Sequence, residues 1–361
     1  MLRAVACGLC LVGVTASAEV ADHSDPWPDL ETDHCETLPP APRAVCLRDA
    51  HARERKHQAA WRKVQRDYLR PLAEHVAEHR DPRMQAIAAS LWPRTEDGSA
   101  DARIRHLREL AFQDGGDDPV VAILQQAYTP SGIDASPGNP FAAPAMTRWR
   151  EIEPDNLAPA MASGEPIESL LARARTFGRY SLHLADLLSA VDAAFAIHPP
   201  DRKQLRWLSD ADMTPPDLAA DHAIDLGVSA VPPMMPLINA CKGDARHATP
   251  ARNLQCRTLG RVMSAHSDSL IGELFGAVLL RHDDDPAVRA EGDAALHAGQ
   301  WQSTASRELA LGRKSNCAAA KMRAMPGLGE GDAIRACLTD AGIPREPPAD
   351  WDPDASQAEA H

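Results

Sequence analysis

Aromatic residues make up only 4% of this 361-residue sequence, and the β-branched residues that favour strands are sparse as well. No run of alternating apolar and polar residues, the pattern of a half-buried strand, stands out. Alanine and leucine, which favour helix, are abundant instead. These features predict an all-α fold with almost no strand and a helix content well above the usual third.

Long apolar runs and clustered positive charge are also lacking. After residue 18 no apolar run reaches the roughly 20 residues that a membrane-spanning helix needs, and Glu273 interrupts the best candidate. The formal net charge is −13, and an acidic chain repels nucleic-acid phosphates. We therefore expect a mature chain without a transmembrane segment and without a nucleic-acid partner.

Common catalytic and cofactor motifs are missing. The sequence contains no G-x-S-x-G nucleophile elbow, no phosphate-binding loop and no dinucleotide-binding fingerprint. The tight C-x-x-C or Cys/His spacing of a metal site is absent after residue 18. From these patterns we assign no catalytic residue and expect no cofactor.

The first 18 residues have the pattern of a secretory signal peptide. Arg3 supplies a short positive region, and residues 4–14 are apolar or small. Ala16-Ser17-Ala18 then forms an A-x-A cleavage site. We expect cleavage after Ala18 and a periplasmic or secreted mature protein.

Six cysteines remain after this leader, and an even number in an exported protein suggests disulfides. Six cysteines allow 15 pairings in principle. They fall, however, into three pairs of sequence neighbours, which favours bonds between neighbours. The expected disulfides are Cys35–Cys46, Cys241–Cys256 and Cys317–Cys337.

Residues 234–282 carry the clearest helical pattern. Apolar residues at 234, 237, 238 and 241 follow the i, i+3, i+4, i+7 spacing of one helical face, and residues 256–263 repeat it. Each of these two helices carries one cysteine on its apolar face, so a disulfide would join a helical hairpin. A third helix follows, and Ser267, Asp268 or Ser269 is expected to cap its start.

Proline- and glycine-containing turns separate further helical segments on both sides of this stretch. The domain organisation that we expect is a signal peptide at 1–18, an extended N-terminal arm at 19–42, a helical-repeat region at 43–198, a disulfide-stapled helical region at 199–343 and a disordered tail at 344–361. The predicted architecture is a set of antiparallel helical hairpins, stacked as a solenoid or an irregular bundle.

Asp118-Pro119 and Pro154-Asp155-Asn156 stand between predicted helix pairs that repeat about every 34 residues. Over residues 82–198 this arrangement resembles the tetratricopeptide-like helical-repeat proteins, although their consensus Trp, Gly-Tyr and Ala/Phe positions are not evident here. The whole chain is also similar to uncharacterised exported helical proteins of bacteria. The resemblance implies a scaffold that holds a protein or peptide on a concave face.

One motif indicates a different class of protein. His75-Val76-Ala77-Glu78-His79 matches the H-x-x-E-H pattern of zinc peptidases. On a helix this spacing would place both imidazoles on one face, where they would bind zinc while Glu78 acts as general base. No third ligand follows in a recognisable second motif, and Arg80-Asp81-Pro82 is expected to end the helix at once.

The sequence therefore leaves two functions open. The first is an exported, non-catalytic helical scaffold for a protein or peptide partner. The alternative is a zinc-dependent hydrolase that uses His75, Glu78 and His79. The identity of the partner and the oligomeric state do not follow from the sequence.

Overall fold

A computed structural model describes residues 39–92, 101–126, 139–210, 213–313 and 316–352. Helix accounts for 74% of the structure, and no β-strand forms in the described residues. Extended pairing in these ranges is limited to isolated bridges between Asn156 and Arg179 and between Tyr180 and Ser267. The all-α prediction is confirmed. Across the described ranges, no helix combines the length and the apolar character that crossing a bilayer requires.

The helices are numbered in chain order. Those before residue 180 are α1 (Pro40–Val64), α2 (Arg70–Val76), α3 (Pro82–Leu91), α4 (Asp101–Gly115), α5 (Pro119–Gln126), α6 (Ala142–Ile152), α7 (Leu157–Ala162) and α8 (Ile167–Ala172). Those after it are α9 (Leu184–Ile197), α10 (Arg202–Asp210), α11 (Pro215–Ser229), α12 (Met235–Ala240), α13 (Arg252–Ala265), α14 (Leu270–Arg281), α15 (Pro286–Arg313), α16 (Cys317–Ala324) and α17 (Glu330–Asp340). A π-helical turn, Gln65–Leu69, joins α1 to α2.

Several helices begin with a polar cap followed by proline, as the turn pattern predicts. Asp81 caps α3 by accepting the backbone N–H of Arg83 at 2.8 Å, and Pro82 follows it. Thr214 caps α11 in the same way, directly before Pro215. Proline suits the first turn because its missing N–H would have no partner there and its φ is already helical.

The cysteine-containing stretch folds into α12, α13 and α14. Ser269, one of the three expected capping residues, begins α14 by accepting the N–H of Gly272 at 3.2 Å. A Cβ atom at Gly276 would lie 2.3 Å from the backbone nitrogen of Ser264, which is too close for any side chain. Gly276 therefore allows the backbones of α13 and α14 to pack directly against each other.

Two disulfides join consecutive helices. Cys241, directly after α12, is bonded to Cys256 in α13, with their Cα atoms 5.7 Å apart. Cys317 at the start of α16 is bonded to Cys337 in α17, with Cα atoms 6.0 Å apart. Each bond therefore fixes the spacing of one helical hairpin.

The N-terminal boundary of the helical region differs from the sequence prediction. Helix α1 begins at Pro40, so residues 40–42, which were assigned to an extended arm, are helical. Proline at the start of a helix accounts for this, since it is favoured there and not only in extended segments. The expected Cys35–Cys46 disulfide includes Cys35, which lies outside the described residues.

The beginning of the predicted disordered tail is packed on α15. Nε1 of Trp301 donates to the carbonyl oxygen of Pro344 at 2.8 Å. The Trp351 ring lies 5.6 Å from the Trp301 ring, centroid to centroid, and 4.9 Å from that of His297. Residues 344–352 thus differ from the predicted disordered tail. Their Pro, Asp and Glu content indicated disorder, but one tryptophan supplies apolar contact with α15.

Candidate functional site

The structure corrects the expected helical placement of the H-x-x-E-H motif. Helix α2 ends at Val76, so only His75 lies within it, whereas Glu78 and His79 follow in a turn. All three candidate side chains are exposed. The chain leaves the helix here because the next helix, α3, begins six residues later with its own Asp-Pro start. The two imidazoles therefore do not share a helical face.

His75 already has local partners. Its Nδ1 lies 2.7 Å from the carbonyl oxygen of Pro71 and donates to it. Its ring stacks on that of His198, with centroids 4.3 Å apart. Within the part of the chain that the structure describes, no three His, Cys, Asp or Glu side chains are grouped so that they could hold a metal ion.

A second polar cluster surrounds Ser181 and His183. Oγ of Ser181 donates to Asp268 at 2.8 Å, while Nε2 of His183 lies 3.0 Å from Oε2 of Glu153. The serine and the imidazole are thus each bonded to a different carboxylate and do not form a nucleophile–base pair. The Asp268 carboxylate also accepts the backbone N–H of Leu182 at 2.8 Å. The cluster therefore holds the segment that precedes α9 against the turn that precedes α14.

A cavity of about 120 Å³, partly open to solvent, lies between α9, α11, α14, α15, α16 and α17. Protein interiors contain few voids larger than a water molecule, and an apolar cavity of about 150 Å³ can take up benzene. Most of the wall is apolar. Representative apolar lining residues are Leu184, Ile224, Val228, Ile271, Phe275 and Met322. The polar and charged lining residues are Asp221, Ser303, Ser306, Arg307, Asn316 and Glu330.

Helical periodicity explains how the sequence builds this wall. Asp221, Ile224 and Val228 lie at i, i+3 and i+7 on α11, so they present one face to the cavity. Ile271 and Phe275 follow the same rule on α14. The Cys317–Cys337 disulfide joins α16 to α17, and both helices contribute to the wall. The cavity is therefore bounded by helices that a covalent bond holds in place.

Asp221 is the unusual residue of the wall. It is only 9% exposed, and no other described residue donates a hydrogen bond or forms an ion pair with its carboxylate. Burial raises the pKa of Asp221 to about 7, and the neighbouring Asp225 and Asp217 act in the same direction. A buried carboxylate without a partner is costly, so a buried position of this kind is a candidate for ligand contact.

Glu330 is the second carboxyl of the wall. Its Oε2 accepts the backbone N–H of Leu270 at 3.0 Å, which links α17 to the start of α14. Burial raises the pKa of Glu330 to about 7; the Leu270 N–H opposes this shift, and Asp268 and Glu273 add to it. Arg307 lines the same cavity, and among the described residues no ion pair joins its guanidinium to either cavity carboxyl. Because their pKa values are about 7, Asp221 and Glu330 both change their charge near neutral pH.

No sequence pattern predicted these cavity residues. Asp221 and Glu330 belong to helices far apart in the chain, and neither lies in a recognised motif. One signal was present: Asp221 stands in the apolar run of α11, three residues after Leu218 and three before Ile224. A charged residue on the apolar face of a helix is either paired or functional.

Comparison with known proteins identifies no relative. No family model matches the chain, and no curated protein or solved structure is significantly similar to it. The class that the fold and the site define is an all-α, disulfide-containing protein with an apolar cavity. Any functional assignment rests on the chemistry of that cavity.

Proposed function

We propose that this chain is an exported, non-catalytic scaffold that binds a protein or peptide partner by taking one of its side chains into the cavity. The observation that carries the proposal is the cavity itself, an apolar space of about 120 Å³ between six helices. Side chains that enter such pockets supply most of the binding energy in many protein interfaces. The zinc-hydrolase alternative has no comparable support, since its three residues are not arranged on one helix.

Two further features support the export part of the proposal. The leader has the pattern of a signal peptide, and disulfides form and persist in oxidising compartments. We extend the proposal to the architecture: helical hairpins stacked as a solenoid or irregular bundle, with a repeat-like part at 43–198 and a disulfide-stapled part at 199–343. The cavity walls come mainly from the second of these parts.

The composition of the wall suits a peptide. Apolar lining residues would bury the inserted side chain, at roughly 25 cal/mol for each Å² of apolar surface removed from water. Ser303, Ser306 and Asn316 offer hydroxyl and amide groups that can hydrogen-bond the partner's backbone. A mainly apolar pocket with a few polar groups is the usual form of a specific binding site.

A peptide-display selection on the mature protein, residues 19–361, tests this proposal. The variant Val228→Phe fills the cavity from α11 with a larger side chain. The matched control is Val45→Phe on α1, where the valine is 48% exposed and remote in sequence from the cavity helices. Circular dichroism and thermal melts verify that both variants are folded before binding is compared.

We expect the selection to enrich a family of related peptides on the wild-type protein. These peptides should bind the Val45→Phe control equally well and lose at least about tenfold in affinity for Val228→Phe, which corresponds to about 1.4 kcal/mol. Enriched peptides that bind Val228→Phe as tightly as wild type would overturn the proposal. The absence of any enriched family would overturn it as well.

A further inference from the structure

We infer that the side chain taken into the cavity is a lysine, whose four-carbon stem lies against the apolar wall and whose ammonium group pairs with Asp221, in a cavity whose wall also holds the carboxyl of Glu330. This inference rests on the proposed function and names the chemical class that the cavity selects. Lysine combines a flexible apolar stem with three N–H donors at its end. The cavity offers the matching combination of apolar lining and carboxyl groups.

The oxygen atoms that would accept the ammonium group are available. Asp221 is nine-tenths buried, lines the cavity and receives no hydrogen bond from any other described residue. On Glu330, Oε2 is bonded to the N–H of Leu270, and no described residue donates to Oε1. A charged donor placed against the Asp221 carboxylate would form charge-assisted hydrogen bonds, which are about twice as strong as neutral ones.

The charge balance of the cavity favours one positive charge. Above neutral pH, where both carboxyls are ionised, they and the guanidinium of Arg307 leave one net negative charge in a mainly apolar space. One ammonium group neutralises it. A divalent metal ion fits less well, because the described residues contain no group of three His, Cys, Asp or Glu side chains that could hold one.

The charge of the whole chain also favours a positively charged partner. Its formal net charge of −13 attracts a basic partner over long range and repels an acidic one. A lysine-bearing peptide is therefore favoured both at the surface of the protein and inside the cavity.

The pH dependence follows from groups that face the two carboxyls. Burial is the largest cause of the raised pKa of both cavity carboxyls. Asp225 and Asp217 on α11 raise the pKa of Asp221 further. Asp268 and Glu273 do the same for Glu330. With pKa values of about 7, both carboxyls lose charge below neutral pH. An alkylammonium ion stays protonated in this range. Affinity for it should therefore rise between pH 5.5 and pH 8.5.

A pair of small probes tests the inference on the full mature protein. n-Butylamine has the stem and ammonium group of lysine, and 1-butanol has the same stem without the charge. Binding of each is followed by methyl NMR at pH 8 to the wild type, to Asp221→Asn and to Asp244→Asn. Asp244 is an exposed aspartate outside the cavity, so its variant is the matched control.

We expect n-butylamine to bind wild type and Asp244→Asn about tenfold more tightly than 1-butanol does. Asp221→Asn should retain 1-butanol binding and lose most of the preference for the amine. Binding of 1-butanol with no preference for the amine, or a preference that survives Asp221→Asn, would overturn the lysine inference and leave the proposed function intact. If neither probe binds, the lysine inference is overturned; if no peptide is selected either, the proposed function fails as well.

Discussion

Nη2 of Arg246 lies 2.7 Å from Oδ2 of Asp283, and each of the two residues is only 1% exposed. Nη1 of Arg246 also donates to the carbonyl oxygens of Cys241 at 2.9 Å and of Leu279 at 3.0 Å. Arg257 donates to both oxygens of the same carboxylate. This buried pair thus joins the disulfide-bonded turn after α12 to the end of α14, the helix that forms one wall of the cavity.

Replacing one member of this pair should be severely destabilising. Burial alone would raise the pKa of Asp283, but the hydrogen bonds from Arg257 and from the backbone N–H of Asp285 outweigh it and hold the pKa at about 2. Asp283→Asn removes the charge and leaves Arg246 buried without its ionic partner, so we expect a loss of about 3–5 kcal/mol. Urea denaturation at pH 7 measures it.

The exposed neighbour Asp284 provides the matched control for this measurement. Its contact, a 3.4 Å approach to His247, lies at the surface, where such pairs contribute little. Asp284→Asn should therefore change the free energy of unfolding by less than about 0.5 kcal/mol. Equal effects of the two substitutions would show that Asp283 is not part of a buried network.

Replacing Asp221 should stabilise the protein at neutral and higher pH, whereas replacing Asp283 should destabilise it. Its pKa is about 7 in the folded protein and close to 3.8 in the unfolded chain. As the pH rises from about 4 to 7, the unfolded chain ionises while the folded protein keeps the proton, so stability falls across that window by up to roughly 4 kcal/mol. Asp221→Asn removes this loss, and we expect it to raise the melting temperature at pH 8 and to change it little at pH 4.

Thermal melts of the wild type, Asp221→Asn and Asp244→Asn between pH 4 and pH 8 measure this effect. The exposed Asp244 has no buried charge to relieve, so its variant should follow the wild-type curve. A wild-type-like pH dependence of Asp221→Asn would show that the Asp221 carboxyl is not buried without a partner in solution.

Local sequence rules were sufficient for much of the scaffold. The spacing from Met234 to Cys241 placed a cysteine at the end of one helix, and Ser269 begins α14 as one of three expected caps. These features depend on residues within one or two helical turns of each other. A single sequence contains all the information that such short-range patterns need.

The cavity could not be predicted in the same way. Asp221 and Glu330 line one cavity only through the packing of several helices, which involves side chains distant in sequence. Composition also gave the wrong prediction for residues 344–352, because the packing of Trp351 on α15 is a tertiary contact. The expected helical placement of the H-x-x-E-H motif was wrong for a different reason: the spacing argument requires an unbroken helix, and α2 ends at Val76.

The disulfides should make a measurable contribution to stability. Replacing both Cys241 and Cys256 with serine opens a loop with a sequence separation of 15, which should cost about 3 kcal/mol in the chain-entropy model. Urea denaturation of the oxidised proteins measures the difference, and reduced wild type provides the reference without disulfides. A double variant as stable as oxidised wild type would contradict the expected contribution.

Peptide mapping without reduction tests the complete pairing. We expect Cys241–Cys256 and Cys317–Cys337 from the structure, and Cys35–Cys46 from the sequence. A peptide that joins Cys241 to Cys317 or Cys337 would contradict the hairpin arrangement. Six free thiols in protein isolated from the envelope would contradict export to an oxidising compartment.

The most direct test of the central claim is a methyl NMR titration of the mature protein with a peptide obtained by selection. We expect saturable shifts at the methyl groups of Ile224, Val228 and Ile271, which line the cavity on two different helices, and no shift at the exposed Val45. Saturable binding that shifts Val45 or other remote methyl groups and leaves these three unchanged would contradict the claim that the partner's side chain enters the cavity.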